Sequence, residues 1–196
     1  KEELDVANVI DYFVVEIYSG NRDWLWNGAN NLKLWRSHDK STKWRYLLYD
    51  VDGGFNYSVY QNSFDIALNP NYPNKHSDLF GRFIENSTFS CRFGKRYIDL
   101  VNTIFEKDYV YMHIDSLRNE LYDAMPNHIN KWGQPSSTQY WESTIEDIKE
   151  YAEDRRYFIT SHILPYINAS SVISLDLNVI PHLSGFIKIN EAFVNQ

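Results

Sequence analysis

Two groups of oxygen-bearing side chains stand out in this chain of 196 residues. The first is Asp23, within Gly20-Asn21-Arg22-Asp23-Trp24, followed by Asn30-Asn31. The second is Asp50-Val51-Asp52-Gly53-Gly54-Phe55. Carboxylates and an amide oxygen are hard donors, the kind that magnesium and manganese prefer, with water and phosphate completing the shell. Between the groups, residues 32–36 and 44–49 read as short strands separated by a polar turn at 37–43, a spacing that suits a hairpin. A hairpin folds back on itself, so the residue before its first strand and the residue after its second lie at one end. Asn31 and Asp50 are therefore expected side by side, with Asp23 lining the same cleft.

The elements that must hold these residues follow from hydrophobic periodicity. Leu4, Val6, Ile10, Phe13, Val14 and Ile17 predict a helix over 4–18, ended by Ser19-Gly20-Asn21. Residues 56–76 carry many Asn, Tyr, Ser and Pro with little periodicity and read as a long ordered loop. Three apolar helical faces follow: Leu79 to Ile84, Phe89 to Phe105, and 109–124. A short helix is expected from Pro126 to Trp132, then a linker at 133–138. Residues 141–166 predict a long charged helix with Ile145, Ile148, Tyr151 and Phe158 inward. Arg155 and Arg156 on this helix are expected to be solvated or paired with acids. Val172, Ile173, Leu175, Leu177 and Val179 alternate with small or polar residues as strands do, and 185–190 reads as a further strand.

Composition narrows the function classes. The chain is 43% hydrophobic and 23% charged, the balance of a globular domain. Its net charge of -7, with no basic run, argues against nucleic acid as a partner, because phosphate-backbone binding needs clustered Lys and Arg. The single cysteine, Cys91, rules out a disulfide framework, and the six histidines show no zinc spacing. No apolar run approaches the ~20 residues of a transmembrane helix. The chain starts at Lys1, already inside a periodic pattern, and is expected to be a fragment or a processed product.

The order helix, Asp23, Asn31, hairpin, Asp50 follows the logic of a kinase, in which a loop Asp and Asn are followed by a hairpin that delivers a metal-binding Asp. The match to ordinary protein kinases fails in detail: the Asp-to-Asn interval is longer, and Asp52 occupies the aromatic position of the DFG motif. A closer resemblance is to the CotH (spore coat protein H) kinase family. Asn21-Arg22-Asp23-Trp24 with Asn30-Asn31 through Arg36 resembles the family's NxDW…NNxxxxR segment. Lys43-Trp44 through Tyr49-Asp50-Val51-Asp52-Gly53-Gly54-Phe55 resembles its KWxxxxYDxDxGF segment. Leu79-Phe80 through Asn86 and Phe89, then Tyr97 to Phe105, look like its following helices. The 25–29 stretch departs from the family pattern in length and lacks its Pro, which leaves Asn30 and Asn31 as alternatives for one role; Asn31 is preferred because it adjoins the strand.

This resemblance implies an α+β fold: a mainly helical, atypical protein-kinase-like C-lobe over residues 1–170, with a short β-hairpin carrying the site, and a β-rich tail over 171–196. It implies that Asp23 is the catalytic Asp, orienting the acceptor hydroxyl or accepting its proton, that Asp50 is the principal metal ligand, and that Asn31 and Asp52 support it. The implied cofactors are ATP and Mg2+ or Mn2+. The implied partners are Ser/Thr-bearing coat, secreted or cell-envelope proteins, in a bacterial extracellular or spore-surface setting. The N-lobe with its phosphate-facing Lys lies outside this sequence, so the 196 residues alone are expected to be inactive. Two rival expectations are a different group transfer on the same fold, adenylylation or glutamylation, and a silent module that binds a surface polymer through its aromatic residues, 16% of the chain.

Overall fold

The computed structural model describes residues 3–25, 30–56, 58–68, 74–175, 177, 180 and 187–189, together with the backbone of 192–194. The expectations for residues 26–29, for Val179 and for Gly185, Phe186 and Asn190 fall outside these residues. The described elements make a mainly helical α+β unit.

The first periodic run forms α1 (Val6–Ser19). Asp5 caps it by accepting the Asn8 N–H at 3.2 Å. Gly20 ends it in the left-handed region (φ 67°), where a side chain would be strained and would also meet the Tyr151 hydroxyl. Val9, Ile10, Phe13, Val14 and Ile17 are buried, and so are Tyr12, Glu16, Tyr18 and Ser19, so the helix is enclosed on nearly all sides. Phe13 stacks on Phe80 with centroids 4.0 Å apart and meets the edge of Trp24 at 5.3 Å. Tyr12 stacks on Tyr46 at 4.7 Å, and Tyr18 on Phe105 at 3.9 Å. These ring contacts make α1 the axis of the core.

The expected hairpin is present as β1 (Lys33–Trp35) and β2 (Arg45–Leu47), antiparallel with Lys33 opposite Leu47 and Trp35 opposite Arg45. Asn8 ties it to α1: its side chain donates to the Tyr46 carbonyl (3.1 Å) and accepts the Tyr46 N–H (2.7 Å). Within 56–76, where a loop was expected, the chain turns into α2 (Ser63–Ala67). Asn62 caps this short helix, and Phe64, Ile66 and Ala67 bury it against the core. The next three helices are α3 (Lys75–Glu85), α4 (Ser87–Val101) and α5 (Lys107–Leu121), followed by α6 (Met125–Trp132), a linker, and α7 (Thr138–Ile163). Further on, β3 (Ile187–Ile189) pairs with β4 (Ala192–Val194). Val172, Ile173, Leu175 and Leu177 do not form the expected strand; the first three are more than half exposed. Alternation alone makes no strand without a ladder to join.

Helices α5 and α7 lie together in a different way from the core. No residue of α5 is buried, and ion pairs link the two: Arg118 to Glu142 (2.5 Å), Lys149 to Asp115 (2.6 Å) and Lys107 to Glu153 (2.7 Å).

The other face of α7 carries the residue that sequence reading misjudged. Arg155 is fully buried rather than solvated, and its guanidinium donates to five oxygens. Nε meets the Tyr18 carbonyl (3.0 Å), and Nη2 meets the Ile17 carbonyl (2.9 Å) and Ser63 Oγ (2.7 Å). Nη1 meets the carbonyls of Val59 (2.8 Å) and Gln61 (2.7 Å). Beside it, Tyr151 donates to the Ser19 carbonyl at 3.1 Å. Arg156, by contrast, pairs with Glu106 at 3.4 Å as an acid-paired arginine should. Replacing Arg155 by Ala removes five hydrogen bonds, three of them buried, and should cost on the order of 3 kcal/mol, lowering Tm by roughly 6–12 °C. Arg155→Lys should recover less than half of this, because one ammonium cannot span a planar fork's partners. Urea denaturation of the two variants beside wild type measures both effects.

Candidate active site

The site is built from the end of α1 outward. The helix stops at Gly20, and the next five residues differ in fate. Asn21 is buried, Arg22 half-buried, Asp23 exposed, and Trp24 and Leu25 fully buried. Asp23 is therefore a solvent-facing carboxylate held between anchored neighbours. Asn21 folds back under it: its Oδ1 accepts the Asp23 N–H at 3.0 Å, while its Nδ2 donates to Glu16 Oε2 at 2.9 Å. The first of these bonds is an Asx turn, which explains an Asn two residues before an Asp at a helix end.

Asn30 and Asn31, alternatives for one role in the sequence, both reach Asp23. Asn30 Nδ2 donates to Asp23 Oδ1 at 2.8 Å, and Asn31 Nδ2 donates to Asp23 Oδ2 at 3.0 Å. Neither asparagine is set apart from the other by its contact with Asp23. Asn31 differs in its backbone, which is left-handed (φ 49°) and leads into β1. The ladder ends at the Lys33–Leu47 pair, two residues after Asn31 and three before Asp50. Lys33 Nζ lies 3.1 Å above the Tyr49 ring.

Asp50 is also left-handed (φ 54°), as is Phe55 (φ 55°) at the far end of the same loop. Three non-glycine residues in this sparsely populated region surround one site, the kind of local strain that a surrounding fold must over-determine. The loop is docked by its glycines. A Cβ on Gly53 would stand 2.7 Å from Asn21 Oδ1 and 3.3 Å from Asp23 Cβ, so the backbone there touches the Asp23 turn directly. Phe55 N–H donates to the Ser19 carbonyl at 2.8 Å, and its ring lies 5.3 Å from Tyr151.

Asp50, Asp52 and Asp23 are all exposed. The negative charge of Asp52 holds the Asp50 carboxyl above its ordinary range, with smaller upward contributions from burial, from a hydrogen bond with Asp52 and from Asp23, and with Lys33 opposing. Among the described residues no three His, Cys, Asp or Glu side chains close a cage around a cation. What Asp50 and Asp52 offer, with the Asn31 amide at the hairpin end, is an open set of hard oxygens with uncompensated charge. That donor set suits a magnesium or manganese ion that keeps water and phosphate in its shell, rather than a fully enclosed metal.

Sequence reading did not single out Glu16 and Asn21. The signal was present: Glu16 interrupts an otherwise apolar and aromatic helix, flanked by Phe13, Val14, Ile17 and Tyr18. Its side chain is fully buried, and burial pushes its carboxyl up to about 7, against the lowering effect of the Asn21 hydrogen bond and of the nearby Tyr12 hydroxyl.

A mainly helical α+β unit thus brings two acidic loops to one end of a buried helix. The family model described as CotH kinase protein matches residues 1–159, and the chain belongs to that family. No curated protein and no solved structure matches it.

The buried Glu16 gives stability a defined pH dependence. Between the ordinary carboxyl range and about 7 the folded state holds a proton that the unfolded chain has already released. Folding stability should therefore fall as pH rises through that window. Glu16→Gln should flatten this segment of the curve, which denaturation midpoints taken from pH 4.5 to 8 would show as a wild-type-minus-variant difference.

Proposed function

We propose that the chain carries the metal- and acceptor-binding part of a metal- and ATP-dependent kinase that phosphorylates Ser or Thr hydroxyls of secreted, coat or cell-envelope proteins. The observation that carries this reading is the meeting of Asp23, held by two amides, with the Asp50–Gly53 loop at one point. Family membership supports a kinase. No helix among the described residues is long and apolar enough to cross a membrane.

In this reading Asp23 orients the acceptor hydroxyl and takes its proton as the oxygen attacks the terminal phosphoryl group of ATP. The bond to the leaving phosphate oxygen breaks, and ADP departs. Asn30 and Asn31 keep both carboxylate oxygens of Asp23 in place by donating one hydrogen bond to each. Asp50 is the principal ligand for magnesium or manganese, supported by Asp52 and the Asn31 amide oxygen. The cation, when bound, offsets the phosphate charge and lets the nucleotide approach a negatively charged loop. A kinase-like C-lobe over residues 1–170, working beneath a nucleotide-binding roof, is the architecture this reading requires.

The two carboxylates should fail differently when changed in the natural full-length protein. Asp50→Ala should weaken metal-dependent nucleotide binding. Asp23→Asn should leave that binding nearly intact and lower turnover by roughly 10²–10⁴-fold. Calorimetric nucleotide titration beside a radiolabelled transfer assay measures both, and the mass added to the acceptor distinguishes phosphate from an adenylyl or glutamyl group. Wild-type transfer rates in both variants would leave neither residue catalytic and overturn the reading.

A further inference from the structure

Beneath the Asp23 turn lies a group of buried polar atoms that the proposed chemistry does not use. Glu16 Oε1, Tyr12 Oη and Trp24 Nε1 are each buried and complete no hydrogen bond. Tyr12 stands between the other two, close enough that Glu16 and Trp24 both perturb its phenol. The arrangement reaches the loop on both sides of Asp23, at Asn21 through Glu16 and at Trp24 through Tyr12. Buried polar atoms left short of partners are costly, and a fold tends to keep them where function requires it.

We infer that Glu16 and Asn21 are positioning residues for Asp23, with the Glu16 carboxylate fixing which way round the Asn21 amide lies and the amide fixing the Asp23 backbone. An amide side chain has two ends of nearly equal shape, and only its surroundings decide which faces where. An ionised carboxylate accepts only, so it draws the Asn21 NH2 toward α1. That leaves Oδ1 on the loop side, where it accepts the Asp23 N–H and abuts Gly53. A proton on Glu16 turns one of its oxygens into a donor and removes this preference.

The groups around Glu16 leave it as the titrating member of the set. Tyr12 lies on its own helix, and Tyr46 of β2 stacks on Tyr12 and meets His76 Nδ1 of α3 at 3.0 Å; burial raises both phenols and lowers the His76 imidazole, so all three stay neutral near pH 7. Asn21 and Trp24 come from the loop, with Asp23 and the Asp50–Asp52 segment beyond them. From α7, Tyr151 and Arg155 reach the carbonyls of Ser19, Tyr18 and Ile17 rather than the Glu16 carboxyl.

The inference rests on the kinase reading for its effect on turnover, but its primary test does not. The Asp23 backbone amide resonance of the natural full-length protein, followed by two-dimensional NMR from pH 5 to 8.5, should titrate near the Glu16 value of about 7. The near-isosteric Glu16→Gln should abolish that transition and hold the resonance at its acidic-limit position. In the transfer assay, Asn21→Ala should lower kcat by roughly 10²-fold through a misplaced Asp23, with KM for the nucleotide unchanged. Glu16→Gln should hold kcat at the wild-type acidic-limit level across neutral pH. An Asp23 amide that does not titrate near 7, or one whose transition survives Glu16→Gln, overturns the inference. So does transfer that needs Asp23 but is indifferent to Asn21→Ala. A wild-type protein that transfers nothing while its Asp23 amide follows Glu16 sinks the kinase reading and leaves the coupling standing.

Discussion

The guanidinium of Arg155 is the contact on which the rest of the architecture hangs. A buried cation is costly unless its donors are met, and here carbonyl and hydroxyl oxygens rather than a carboxylate meet them. Two of those oxygens belong to the last turn of α1, where carbonyls lack helical partners and the helix dipole favours positive charge. Two more belong to the segment before α2, and the fifth is the side chain of its first residue, Ser63. One planar group thereby joins α7, the end of α1 and the approach to α2.

The end of α1 is crowded for a reason. The Ser19 carbonyl accepts from Tyr151 of α7 and from the Phe55 N–H of the acidic loop. Gly20 leaves room for Tyr151, and Gly54 is packed against Ser19. The acidic loop is thus fastened where the Asp23 loop begins, so a shift of one displaces the other. Rigid elements placed behind short loops are how a site gains precision, and the left-handed residues Asn31, Asp50 and Phe55 show where backbone comfort was given up for it.

Much of this was legible from residue types. The two short runs on either side of the polar turn at 37–43 predicted the hairpin, and hairpin geometry implied that the amide before it and the carboxylate after it would lie at one end. The family resemblance rested on the same segments. Other features were hidden for physical reasons. Helix α2 was obscured by Asn on both sides and Pro after it, though Phe64, Ile66 and Ala67 are apolar. Arg155 sits among Glu, Asp and Arg, so its neighbours suggested water; its spacing from Tyr151, Ala152 and Ile159 pointed inward. Glu16 was masked by the strength of the apolar pattern around it. At 172–177 the alternating pattern was real but had no partner strand among the described residues.

The contrast between α5 and the rest has a consequence for how the molecule responds to its surroundings. The core around α1 is oily and dense with rings, so dissolved salt scarcely touches it. Helix α5 buries no residue and is coupled to α7 by Arg118–Glu142, Lys149–Asp115 and Lys107–Glu153. Such pairs weaken as counterions accumulate, and elements with few buried contacts open first. The protein therefore has an ionic outrigger on an aromatic hull. Brine loosens the arm by way of its charges, while the two acidic loops keep their moorings on the other side of α7.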